Sequence, residues 1–132
     1  MDLLREAFGR EIASLQGIFY LSESVDAAPS LDSVELVFRD GGSIIFTSAT
    51  DWILRVSVGA WPQLPEWCWP SKSWVFALVE TQIGNAGFVE VVDVKDLHNE
   101  VGDFVGSILE FSAGNLVIKS GDAITVELYV TS

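Results

Sequence analysis

A chain of 132 residues with one cysteine, seven Lys and Arg, and nineteen Asp and Glu excludes several classes of protein at once. Its length is that of one ordinary domain, large enough to bury a core without disulfides or structural metals. The net charge of −12 repels nucleic-acid phosphates and anionic lipids and attracts basic partners over long range. We therefore expect a single domain, residues 1–132, with neither a nucleic-acid nor a membrane partner.

The opening residues and the single cysteine bear on the compartment. Residues 1–6 mix acids and bases around a short apolar run, which is unlike a signal peptide. No segment approaches the roughly 18 consecutive apolar residues of a membrane span. Cys68 alone permits no internal disulfide, which suits a reducing environment. The sequence predicts a soluble, cytoplasmic protein.

The first sixteen residues predict an amphipathic helix. Leu4, Phe8, Ile12 and Leu15 recur at the spacing of one helical face. Gly9 costs such a helix about 1 kcal/mol relative to alanine. We therefore expect the helix to depend on packing against a sheet.

After the helix the apolar period changes to two, which indicates strands. Val34, Leu36 and Phe38 alternate with their neighbours, and Asp40-Gly41-Gly42 then predicts a tight turn into the next strand. Other strands are predicted at 17–22, 43–49, 52–58, 74–80, 88–95, 104–111, 116–119 and 123–130. Helical crossovers are missing between these segments, so the sheet is expected to be mostly antiparallel.

The predicted fold class is therefore mainly β, of the α+β kind. One N-terminal helix, residues 1–16, packs on the β-rich remainder, residues 17–132. Seven to nine antiparallel strands, rich in meanders, form either a sandwich or a partly open barrel. The pattern alone leaves these two architectures open.

Catalytic and metal-binding patterns are missing from the sequence. His98 is the only histidine and is interpreted as a loop residue, and Cys68 lies between two tryptophans and is interpreted as packing. A structural zinc needs about four Cys or His ligands, and the chain has one of each. The spacing of the acids also lacks the calcium-loop pattern. We expect a protein that is not an enzyme, with no catalytic residue, cofactor or metal site.

Residues 60–73 predict a loop rich in tryptophan and proline, which with Trp74 reads AWPQLPEWCWPSKSW. Its prolines exclude a continuous helix. The three tryptophans of the loop and Trp74 together carry roughly 600–1,000 Å² of apolar surface, more than the roughly 300–600 Å² of the largest patch on a typical monomer. Most of them must therefore close the core or form an interface. We expect Trp69 and Trp74 to be covered by the sheet, and Trp61 and Trp67 to be exposed.

Acidic residues are concentrated after this loop, where Lys95 is the only Lys or Arg between Glu80 and Glu110. Such charge speeds association with a basic protein, and exposed tryptophan adds affinity. The sequence therefore predicts a non-enzymatic protein-interaction module whose acidic face binds a basic protein partner. The candidate partner-binding residues are Trp61, Trp67, Glu90, Asp93, Asp96, Glu100 and Asp103.

The segment VELVFRDGGSIIF, with the small size and acidity of the chain, resembles bacterial immunity proteins and related uncharacterised β-rich domains of toxin systems. The resemblance implies neutralisation of a toxin by covering its active site. It contains no diagnostic motif and therefore assigns no residue a role. Two alternatives stay open: a small-molecule or carbohydrate-binding β domain that stacks ligands on the tryptophan loop, and a homo-oligomer, such as a homodimer, that buries the loop.

Overall fold

Two antiparallel sheets make up the protein in a computed structural model that describes residues 3–21 and 28–131. The first sheet has the strand order β4-β3-β2-β1-β5 and the second is the meander β6-β7-β8-β9. Neither sheet closes into a barrel. The strands are β1 (Ile12–Tyr20), β2 (Ser30–Phe38), β3 (Ser43–Ser48), β4 (Leu54–Val58), β5 (Trp74–Leu78), β6 (Asp93–His98), β7 (Phe104–Phe111), β8 (Gly114–Lys119) and β9 (Thr125–Val130).

The inner faces of the two sheets enclose the main hydrophobic core. Leu36 and Phe46 enter it from the first sheet, and Leu109 and Leu116 enter it from the second. All four side chains are fully buried. Burial of each such side chain stabilises the fold by roughly 1.5–3 kcal/mol. Alternate residues of two neighbouring strands lie in this core, namely Val34, Leu36 and Phe38 of β2 and Ile44 and Phe46 of β3.

The helix predicted for residues 1–16 is wrong. Residues 1 and 2 lie outside the described residues, and of residues 3–16 only Leu3–Ala7 is helical, as a short 3₁₀ turn, with β1 beginning soon afterwards. A bulge between Ile12 and Ser14 shifts the strand by one residue. Because of this shift Ile12 and Leu15 both reach the main core, although they lie three positions apart. A bulged strand thus reproduces the spacing that predicted a helix. Within the described residues, no helix is long and apolar enough to cross a membrane.

The nine strands of the described ranges fall within the predicted number, and most lie where the alternation placed them. β7 has its predicted bounds, whereas the strand predicted at 88–95 is displaced to Asp93–His98. The cause is the preceding segment, where Val91 exchanges backbone hydrogen bonds with Gly9 and Arg10 instead of joining a strand. His98 consequently ends β6 and does not lie in a loop.

Candidate functional site

The tryptophan loop, residues 60–73, covers the outer face of the first sheet. A second hydrophobic cluster lies beneath it, formed by Ile18 of β1, Ile45 of β3 and Cys68 of the loop. Leu64 of the loop and the outer-facing side chains of β5 pack around this cluster. The first sheet is therefore covered on both faces, by the second sheet on one side and by the loop on the other.

Glu35 fixes the start of the loop to the sheet. Its side chain lies on the outer face of β2 and is fully buried. Its Oε2 accepts hydrogen bonds from the Ser43 hydroxyl and from the backbone N–H of Trp61, the latter at 3.0 Å. Gly59 leaves room for the carboxylate, since a Cβ there would lie 2.9 Å from Glu35 Cδ. The other oxygen, Oε1, is buried with no hydrogen-bond partner among the described residues. One carboxylate thus joins β2, β3 and the loop.

Aromatic rings hold the loop against β5. The ring of Trp74 lies edge-on to Tyr20 and Trp67, with centroids 5.1 Å and 5.4 Å away. The ring of Trp61 lies edge-on to Phe76 at 4.7 Å. Edge-to-face pairs of this kind contribute about 0.5–1.5 kcal/mol each beyond the area they bury. Contacts at the start and in the middle of the loop therefore stabilise its position.

The four tryptophans of this region differ in exposure. Trp69 is 80% exposed and Trp67 is 48% exposed. Trp74 is half-buried with its Nε1 enclosed, as predicted, whereas Trp61 was predicted to be exposed and is half-buried. The prediction that Trp69 is covered by the sheet is wrong. The chain turns tightly here, since Cys68 N–H donates to Pro65 C=O and Trp69 N–H donates to Trp67 C=O. Cys68 is buried within this turn, and the indoles on either side of it are exposed.

The acidic candidate residues do not share one face. Asp93 and Asp96 both belong to β6, but three positions apart in a strand place them on opposite faces. Glu90 lies outside the strands and forms an isolated bridge with Glu11. The two remaining candidates, Glu100 and Asp103, lie in or beside the turn between β6 and β7. The acids follow one edge of the second sheet and are not brought together into a cluster.

Part of this acidity is compensated by neighbouring cations. Arg5 forms an ion pair with Asp96 at 3.2 Å, and Lys95 forms one with Glu110 at 3.3 Å. Arg5 belongs to the N-terminal 3₁₀ turn, so the sequence spacing between Glu80 and Glu110 gave no sign of it. The acidic edge is consequently less negative around Asp96 than the sequence suggested.

Cys68 is an inert thiol beneath the loop. Burial, aided by the negative charges of Asp32 and Glu35, raises the pKa of the Cys68 thiol to about 11. Its side chain is also almost completely enclosed. Both effects suppress the thiolate, which is the reactive form.

Alkylation of Cys68 should therefore report whether the loop is in place. At pH 8 we expect iodoacetamide to react with the native protein at least about 100-fold more slowly than with the urea-unfolded chain, since a pKa near 11 leaves about 0.1% thiolate. The native rate should rise about tenfold per pH unit from pH 8 to 10. Equal native and unfolded rates at pH 8 would contradict the buried position of Cys68.

Other chemistry is sparse in the part of the chain that the structure describes. Residues 3–21 and 28–131 contain no group of three or more His, Cys, Asp and Glu side chains that could hold a metal ion, and no pocket. His98 is exposed at the end of β6, with its ring 6.0 Å from that of Phe104. The loop with Trp67 and Trp69 is therefore the best-defined candidate site on the described surface.

Comparisons of the chain with protein-family models, with curated proteins and with solved structures give no match.

Proposed function

We propose that this protein is a non-enzymatic protein-interaction module that binds a basic protein through Trp67 and Trp69. The observation that carries the proposal is the exposure of Trp69, which is 80% accessible although the adjoining Cys68 is buried. Tryptophan is enriched among the residues that dominate binding energy at protein interfaces. The immunity-like role implied by the resemblance is one form that such binding takes.

The anchoring of the loop supports binding by a preformed surface. Glu35 holds the backbone of Trp61, and Trp67 packs edge-on to Trp74. Because a preorganised loop loses little conformational entropy on binding, more of the contact energy contributes to affinity. With about 150–250 Å² per aromatic side chain, the exposed parts of Trp67 and Trp69 amount to roughly 200–300 Å². That area suits the centre of a modest interface.

The net charge supports a basic partner. A charge of −12 raises the rate of encounter with a positively charged protein and disfavours acidic partners. The acids need not lie together for this effect, since steering depends on the summed field of the protein. Charge therefore governs the association rate in this proposal, and the tryptophans govern the lifetime of the complex.

The test compares affinity capture from a lysate of the source organism by the wild-type protein, Trp69→Ala and Trp52→Ala. Trp52 is a matched control, because it is 57% exposed but lies in the turn between β3 and β4. Captured proteins are identified, purified and titrated by calorimetry. We expect a basic protein whose Kd rises at least about 30-fold with Trp69→Ala, as for an interface hot spot, and less than about threefold with Trp52→Ala.

Stopped-flow kinetics separate the role of charge from that of the loop. The association rate should fall by about tenfold or more between low salt and about 0.5 M salt, whereas Trp69→Ala should act on the dissociation rate. A specific partner that binds Trp69→Ala as tightly as the wild type would refute the assignment of the loop. An acidic partner, or a salt-independent association rate, would refute the role of charge.

A further inference from the structure

β5 is an edge strand without the usual protection of an edge. The sheet edges in the described residues are β4, β5, β6 and β9. Three of them carry charged residues that oppose pairing with another strand: Arg55 in β4, Asp93, Lys95 and Asp96 in β6, and Glu127 in β9. β5, with the sequence WVFAL, carries neither charge nor proline. Val75 and Leu78 in this strand are 40% and 55% exposed.

The backbone of β5 presents free groups along its open edge. β5 is paired with β1 on one side only, and bonds from Leu21 N–H to Ser73 C=O and from Val79 N–H to Leu15 C=O bracket this pairing. Hydrogen-bonding direction alternates along an antiparallel strand. The N–H groups of Phe76 and Leu78 therefore point away from β1, to an edge where no other described strand lies.

The charges that flank β5 are placed symmetrically. Lys72 lies four residues before Phe76 and Glu80 lies four residues after it. Lys72 lies in the 3₁₀ turn Ser71–Ser73 just before β5, and Glu80 lies two residues after its end. If two copies of β5 pair antiparallel with Phe76 opposite Phe76, the end of one strand that carries Lys72 lies beside the end of the other that carries Glu80. The same register places Trp74 opposite Leu78, so apolar residues meet apolar residues. The hydrogen-bonding pattern also permits this register, because the backbone N–H and C=O of Phe76 point away from β1 and can bond to Phe76 of the other copy.

We propose that two copies of this protein pair through β5, antiparallel and centred on Phe76, to form a continuous ten-stranded sheet. The twofold axis of such a pair runs perpendicular to the sheet, so both tryptophan loops lie on the same face of the dimer. The dimer presents Trp69 twice in one direction, which is the arrangement needed for bivalent binding of a partner that is itself repeated. This inference goes beyond the proposed function and does not depend on it.

Reversal of the flanking charges tests the register. Sedimentation velocity is measured on the purified protein from about 1 to 300 µM for the wild type, Lys72→Glu, Glu80→Lys and the double exchange. Each single reversal brings like charges near one another at both ends of the paired strands. We expect a dimer constant weakened about tenfold by either single reversal, and restored to within about threefold of the wild type by the exchange.

Lys119→Glu is the matched control for Lys72→Glu, because it makes the same change in net charge at an exposed residue, the last of β8. It should leave the dimer constant within about twofold. Circular dichroism checks that each variant is folded. A wild-type protein that stays monomeric at 300 µM overturns the proposal. So does a dimer that responds equally to Lys72→Glu and Lys119→Glu, or one that the double exchange does not restore. The measurement uses the purified chain alone, so its failure leaves the proposed partner binding unaffected.

Discussion

Glu35→Ala is expected to lower the free energy of unfolding by about 3 kcal/mol. The substitution leaves the buried Ser43 hydroxyl without its acceptor, leaves the partly buried Trp61 N–H with only its longer bond to Ser43 Oγ at 3.4 Å, and opens a cavity between the sheet and the loop. A buried donor left without a partner costs about 1–3 kcal/mol, and the lost packing adds to that cost. Part of this lost stability is recovered, because the substitution also removes Oε1, which is buried without a hydrogen-bond partner among the described residues. Urea unfolding followed by circular dichroism measures the change.

Two further variants separate the hydrogen bonds of Glu35 from its volume. Glu35→Gln keeps an acceptor oxygen of similar reach and should cost about half as much as Glu35→Ala, and Ser43→Ala should cost about 1 kcal/mol. If Glu35 holds the loop, alkylation of Cys68 under native conditions should accelerate in Glu35→Ala much more than in Ser43→Ala. A loss of less than about 1 kcal/mol in Glu35→Ala, with unchanged alkylation of Cys68, would show that the loop is held by its aromatic contacts alone.

The burial of Glu35 shows where strand alternation stops being informative. In VELVFRDGGSIIF the alternation predicts the hairpin and its core-facing residues, because one sheet face meets the second sheet and the period of two follows directly. The opposite face would ordinarily meet water, so Glu35 is expected there as a solvated acid. It is buried because a loop 25 or more residues further along the chain folds back over it. No local pattern around β2 contains that information.

β1 illustrates a second limit, which concerns bulges. A bulge in the strand changes the side-chain period locally, and an apolar period near three over a short segment is also what a helix produces. Gly9 argued against the helix, but its cost of about 1 kcal/mol is too small to decide. By contrast, β7 to β9 alternate regularly: β7 has its predicted bounds, and β8 and β9 end where predicted but begin two residues away from their predicted starts.

The candidate site was predictable in part. The tryptophan loop and its bounds follow from its prolines and tryptophans, and the partial burial of Trp74 follows from its place at the start of a strand. The exposure of Trp69 was missed, although the signal was present in Cys68, a small side chain that fits beneath the loop where an indole does not. The placement of Asp93 and Asp96 on opposite faces follows from their spacing of three within one strand, and was missed because the strand was predicted to end at Lys95.

Gly84→Ala is expected to destabilise the protein by about 4 kcal/mol. Gly84 lies in the connection from β5 to β6 with φ of +93°, and a Cβ there would meet the backbone carbonyl of Ala13 in β1, with the carbonyl carbon at 2.9 Å. Hydrogen bonds hold Gly84 in this position, since its N–H donates to Phe88 C=O and its C=O accepts from Arg39, and Ala13 is part of β1. The variant therefore combines a left-handed backbone with a backbone collision.

Gly102→Ala isolates the contribution of the backbone conformation. Gly102 has nearly the same φ, +91°, but a Cβ there would meet nothing within 4 Å. Its substitution should cost only about 1 kcal/mol, which is the usual penalty for alanine in the left-handed region. The difference between the two variants, about 3 kcal/mol by urea unfolding, then measures how firmly the segment before β6 is held against β1. Similar losses in both variants would mean that this segment moves away from β1 at little cost, and that the close contact of Gly84 with Ala13 is not required by the fold.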